Sequence, residues 1–202
     1  MARRRALLAA CLIFLPVLAL SVWMIALPPQ TWLELTDVGT GRPIASGLVA
    51  DGEEVVLTWT NSLFNLPVTE VFVATGGALT LTAVTFADPG GREPPRVRPE
   101  DVDDLYHTGG PFKAEGLSRR LSRVVFRVGE IGDPVIRFGN RAVRLAREVD
   151  FGGAVLLAVR RATPSEKIVR WVSDAAAGSG VFQSGGMWYS MICFALNPGI
   201  CR

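Results

Sequence analysis

The hydrophobic positions of this chain fall into three regimes. The first, Ala6 to Leu27, carries no charge and is interrupted only by Pro16 and Ser21. Arg3, Arg4 and Arg5 precede it, and Pro28-Pro29 follows. About 20 apolar residues span a bilayer as a helix, so residues 6–27 are expected to form a transmembrane signal anchor or a signal peptide. The arginines keep residues 1–5 in the cytoplasm as a basic stub and place everything after Leu27 outside. A cleaved signal has an apolar core of about 7–15 residues with a small-x-small site behind it. Here the run is longer, and its one passable site, Ala19-Leu20-Ser21, lies inside it. That favours an uncleaved, single-pass anchor in the cell membrane with the body on the extracytoplasmic side.

The second regime changes period. Trp32 to Leu35 alternates, and Glu54 to Trp59 and Glu70 to Ala74 are rich in β-branched and aromatic residues. Gly76-Gly77 separates the latter from Leu79 to Phe86, a strong hairpin signal. In that strand Leu79, Leu81, Ala83 and Thr85 are expected on one face, with the remaining threonines and Phe86 on the other. Ser122 to Val128 is strand-like. Val135 to Phe138 and Arg141 to Leu145 flank Gly139-Asn140 as a second hairpin, and Ala154 to Val159 closes the series. Seven or eight short strands with turns between them predict an all-β antiparallel sandwich or barrel-like domain over residues 30–161. Residues 87–99 hold four prolines and two glycines and are read as a loop. Pro99 followed by acids predicts a short helix to about Tyr106.

The third regime is helical and then apolar. Thr163 and Glu166 form a capping box, with Pro164 at the first helical position. Ile168, Val169, Trp171, Val172 and Ala175 mark one stripe of a short C-terminal helix ending near Gly178. The tail, residues 163–202, also contains Met187 to Leu196, ten residues that are too short to span a bilayer. They could cover a core, lie on a membrane surface or dock a partner.

Charge sharpens the picture. The 202 residues are 49% hydrophobic, with 21 Lys+Arg against 19 Asp+Glu. Without Arg3, Arg4 and Arg5 the balance is 18 against 19, so the basicity belongs to the export segment. A near-neutral body gives no electrostatic footprint for nucleic acid.

Candidate chemistry is sparse, and no cofactor motif is found. Cys193 and Cys201 could form a disulfide outside the cytoplasm. His107, the single histidine, follows Glu100, Asp101, Asp103 and Asp104. Asp101, Asp104 and His107 could hold a divalent metal, but acids at a helix start also complement the helix dipole. No GxSxG elbow, CxxC pair or phosphate-binding loop is present. Ten arginines between Arg119 and Arg161 could line an anion site, although alternation along strands points to a solvated face. Trp59 to Glu70 is the most individual stretch: a strand ends at Asn61-Ser62, passes a Leu-Pro loop and restarts at Glu70. Asn61, Ser62, Thr69 and Glu70 would flank that loop as a ligand or partner site, with Glu70 as a hydrogen-bonded carboxylate. Asn and Ser also satisfy their own backbone in turns.

The order of these parts resembles the bacterial family called domain of unknown function 1850. The resemblance rests on Val55 to Phe86, on the Gly/Pro loop near Pro89 to Pro95, and on the closing hairpin from Val135 to Val159. Where that family often has histidine before the serine, Asn61 stands here. Its usual glycine-alanine-glycine loop is replaced by Asp88-Pro89-Gly90-Gly91. Members are small exported domains linked to tripartite ATP-independent (TRAP) transporters with TAXI-type solute receptors. The resemblance implies an accessory role, with a transporter permease or solute receptor as partner. The other readings are an extracytoplasmic hydrolase using His107 and the acids at 100–104, and a structural envelope protein whose apolar tail docks a membrane complex.

Overall fold

The computed structural model describes residues 29–168. The predicted membrane segment, the helical stripe beyond Ile168, the 187–196 stretch, Cys193 and Cys201 lie outside them. Among the described residues no helix is long and apolar enough to cross a membrane.

Ten strands form two antiparallel sheets. The smaller sheet has the order β2 (Pro43–Ala50), β1 (Gln30–Asp37), β10 (Ala154–Arg161), β7 (Arg123–Arg127). The larger runs β6 (Phe112–Leu121), β5 (Ala78–Phe86), β4 (Leu66–Thr75), β3 (Glu54–Asn61), β8 (Val135–Phe138), β9 (Arg141–Arg144). The helix α1 (Val102–Thr108) follows a 3-10 turn at Pro99–Asp101, and a further helical turn begins at Pro164.

The core lies between the sheets. Leu33, Leu35, Val155 and Leu157 from the smaller sheet meet Val55, Leu57, Val68, Phe72, Leu79 and Ile136 from the larger. Each such side chain withdrawn from water contributes about 1.5–3 kcal/mol. Alternation assigns the faces: Leu33 and Leu35 are fully buried, so Trp32 and Glu34 project from the outer face of the smaller sheet.

Three departures from the sequence pattern have local causes. In β5, a bulge lies between the pairs Val71–Ala83 and Phe72–Leu81 and places Thr82 out of register. Its hydroxyl donates to the Val71 carbonyl at 3.1 Å. One extra residue reverses the alternation, so Val84 and Phe86 join Leu79 and Leu81 in the core. Ala83 and Thr85 do not share that face. The Leu-Pro segment is not a loop but the start of β4, with Pro67 opposite Thr60. The Thr60 amide bonds Gly132, away from β4, so Pro67 sits at a position that makes no ladder bond to β3. Its carbonyl accepts from Ala87, just past the end of β5, where a missing N–H costs little. Two strands, β2 and β6, go beyond those predicted. Gly47 in β2 makes room for the Phe138 ring of the opposite sheet, whose edge would lie 2.9 Å from an added Cβ.

The Gly76-Gly77 hairpin forms as predicted, with φ +59° and +81° at the two glycines. The hairpin at Gly139-Asn140 also forms. At the C-terminal boundary the capping box is made: the Thr163 amide donates to Glu166 at 2.8 Å, and the Glu166 amide reaches the Thr163 hydroxyl at 3.4 Å.

Candidate functional site: a capped carboxylate beneath an apolar hairpin tip

Glu70 lies in the middle of β4 between Val68 and Phe72, both buried on the inner face. Its cross-strand neighbours are Leu57 on β3 and Val84 on β5. An ionised carboxylate on an apolar sheet face requires a donor. Tyr106 of α1 supplies it: its hydroxyl donates to Glu70 Oε1 at 2.7 Å. Burial holds the Glu70 carboxyl above its ordinary range, against the opposing pull of the Tyr106 hydroxyl and the Trp59 indole. The Tyr106 phenol is raised as well, by its own burial and then by the charge of Glu70.

Aromatic packing fixes this pair. Phe86 and Phe112 stack at 4.5 Å, while Tyr106 meets the Phe86 edge at 5.2 Å and 89°. Trp59 meets Phe86 at 6.3 Å and 80°. Such edge-to-face contacts add about 0.5–1.5 kcal/mol beyond area burial. They hold α1 over the end of the larger sheet.

The same helix touches the β3–β4 tip. Gly109 follows α1 with φ +81°, and a Cβ there would lie 2.4 Å from the Phe64 ring. The tip is shaped by Asn61, whose side chain is buried and accepts from the Leu63 amide at 2.9 Å and the Phe64 amide at 3.2 Å. This is turn chemistry, and Asn65 at φ +52° completes the reversal. Leu63 is thereby left 73% exposed.

Thus the four residues singled out in the sequence do not converge. Asn61 and Glu70 lie on the inner side, Thr69 projects from the opposite face of β4, and Ser62 is exposed at the tip. Tyr106 and Trp59 are the partners that sequence reasoning missed. The only available signal was a tyrosine in a short helix otherwise rich in acids.

The other candidates separate similarly. Asp101 pairs with Arg98 at 3.0 Å, the Asp104 carbonyl accepts from Thr108, and His107 is exposed. Among the described residues no three His, Cys, Asp or Glu side chains are grouped to hold a metal. All ten arginines from Arg119 to Arg161 are exposed. They make scattered pairs, such as Arg144 with Asp133 and Arg119 with Asp103, and do not meet around one point.

Exposed large apolar side chains are unevenly distributed. Val38, Leu63, Phe64, Ile131 and Phe151 are all on turns at the end of the sandwich opposite Pro29. Backbone bonds tie these turns together: Thr60 to Gly132, Gly152 to Val128, and Val38 to Ala154. Protein-family models, curated proteins and solved structures were all compared with the chain, and none matches.

Proposed function

We propose that this chain is a membrane-anchored, extracytoplasmic binding module that serves a TRAP-type solute transporter. In this reading it holds a protein partner, either the permease or the solute receptor, at the end carrying Leu63, Phe64, Ile131 and Phe151. The observation that carries the proposal is the collection of exposed apolar side chains on the turns opposite Pro29. Isolated apolar residues on a surface need no explanation; here five of the six exposed large apolar side chains among the described residues share one end, and that end is taken as the interaction site. If residues 6–27 anchor the chain, that end faces away from the bilayer. A strand of eight residues separates the two ends by about 26 Å, which suits a protein partner better than lipid. The Glu70–Tyr106 pair supports the same reading indirectly. Glu70 and Tyr106 fix α1, α1 supports Phe64 through Gly109, and Asn61 fixes the backbone of the tip.

The test is co-purification of the full-length chain with a TRAP-type permease or solute receptor from the same genome. The double variant Leu63→Asp, Ile131→Asp alters only exposed side chains and should keep its thermal midpoint. Recovery of the transporter component should fall at least tenfold. Undiminished recovery would overturn the proposal.

A further inference from the structure

Strand β7 ends the smaller sheet, and one of its edges has no neighbouring strand among the described residues. The register shows which backbone groups face that edge. The Val159 amide bonds the Ser122 carbonyl, and Val128 bonds Gly152 and Gly153. The Ala154 carbonyl accepts from Val38, on the far side of β10. Opposed residues of an antiparallel ladder alternate between bonded and non-bonded pairs. Val124 and Phe126 therefore bond β10, while the amides and carbonyls of Arg123, Val125 and Arg127 point outward. Val124 and Phe126 also pack against the core, so the side chains of those same three residues lie on the outer face.

The side chains single out this edge as well. Val125, 57% exposed, is the sixth exposed large apolar residue and stands apart from the five at the end of the sandwich. Arg123 and Arg127 flank it, both exposed. Arg119, Arg141, Arg144 and Arg160 each reach an oxygen of the chain; among the described residues Arg123 and Arg127 reach none. Glu34, the acid on the outer face of β1, lies two strands from Arg123 across Ala158, about 10 Å away. Two copies joined antiparallel about Val125 would set each Arg123 against the other copy's Arg127, a pairing that like charges oppose.

We propose that β7 is a docking edge for an extended acidic segment of another protein, which adds a fifth strand to the four of the smaller sheet. Its backbone pairs with the outward groups of Arg123, Val125 and Arg127. The residues opposite these three project onto the outer face, so the segment carries acid, apolar and acid at alternate positions. The two acids, about 13 Å apart along a strand, then match Arg123 and Arg127. The pattern is the same in either chain direction. In this sequence only Glu100, Val102 and Asp104 have that spacing. They lie in the 3-10 turn and α1, with Val102 buried, so a second copy cannot supply the segment. The edge is separate from the apolar end of the sandwich and does not depend on a partner there.

The test titrates the full-length chain, in micelles of uncharged detergent, into the fluorescent peptide TETVTET. The peptide TTEVETT has the same composition with its acids moved to the other face, and TKTVTKT reverses the charge. TETVTET should bind at least fivefold tighter than either, and more weakly as salt is raised. Read by NMR, it should slow exchange of the Val125 amide at least tenfold and leave the amides of Val124 and Phe126, already bonded to β10, unchanged. The double variant Arg123→Glu, Arg127→Glu alters only exposed side chains and should switch the preference to TKTVTKT. Equal binding of the two acidic peptides would mean charge attraction without strand pairing. No binding would mean that the arginines only guard the edge. Slow Val125 exchange that appears without peptide as protein concentration rises would mean a second copy. Each of these three results would overturn the proposal.

Discussion

Removing the Tyr106 hydroxyl is the sharpest probe of the carboxylate site. Tyr106→Phe keeps the ring that meets Phe86 and deletes only the donor at 2.7 Å from Glu70. A hydrogen bond to a charged group contributes about 1.5–3 kcal/mol, and leaving the buried acceptor unmet adds to the loss. Glu70 is half-buried and keeps the Trp59 indole nearby, so the lower part of the range applies, about 1.5–2 kcal/mol. For a body of this size that corresponds to a midpoint lowered by about 5–10 °C. The pH dependence has a defined sign. The carboxyl in the folded chain is raised above 4.5. Between 4.5 and the folded value the native state binds the proton more tightly than the unfolded state, so stability from this group falls as pH rises. The Tyr106→Phe penalty should therefore be larger at pH 7 than near pH 4.5. Glu70→Gln, which keeps an acceptor and removes the charge, should gain stability relative to the unaltered chain over the same interval. Urea unfolding at several pH values measures both variants. A Tyr106→Phe loss below about 0.5 kcal/mol, flat with pH, would show that solvent already serves Glu70 and that the Tyr106 hydroxyl does not hold it.

Other variants test the elements that frame the site. Gly77→Ala should lose at least about 2 kcal/mol, because φ is +81° and the new Cβ would sit 2.4 Å from the Arg161 backbone nitrogen; thermal melting reads it. Asn61→Ala should cost about 1–3 kcal/mol by leaving the Leu63 and Phe64 amides without their acceptor. Hydrogen exchange should then show faster opening of residues 62–65 than of β5. Gly109→Ala should displace the Phe64 ring, since its Cβ would approach within 2.4 Å. The expected outcome is lower partner recovery with a smaller stability loss than in Gly77→Ala.

Much of the fold was legible because local signals and long-range packing agree. The Gly76-Gly77 hairpin, the loop at 87–99, the helix after Pro99 and the Thr163 capping box each follow from residues adjacent in sequence. The misses have a common origin in tertiary context. Pro67 looked like a loop residue, and only the direction of the Thr60 amide shows why it sits in a strand. Strand β2 contains Gly47, whose missing side chain makes room for Phe138 of the other sheet, a contact that no local pattern signals. The β6 strand contains Gly116 at φ +77° and a polar second half, which hid its periodicity. The bulge at Thr82 cannot be read from composition, yet it decides which face Phe86 occupies and hence where the aromatic cluster forms. Within the site, Glu70 stood out as a hydrogen-bonded carboxylate. Its donor lies 36 residues further along the chain, a distance over which one sequence carries no pairing signal.

The proposed role can be tested most directly by placing a photoreactive amino acid at Leu63 in the full-length chain and irradiating intact cells. The same residue at exposed Asn140, near the opposite end, serves as the comparison. A covalent adduct is expected from position 63, identified by mass spectrometry as a TRAP-type permease or its solute receptor, and none from position 140. Equal adducts from both positions, or no transporter component from position 63, would contradict that role.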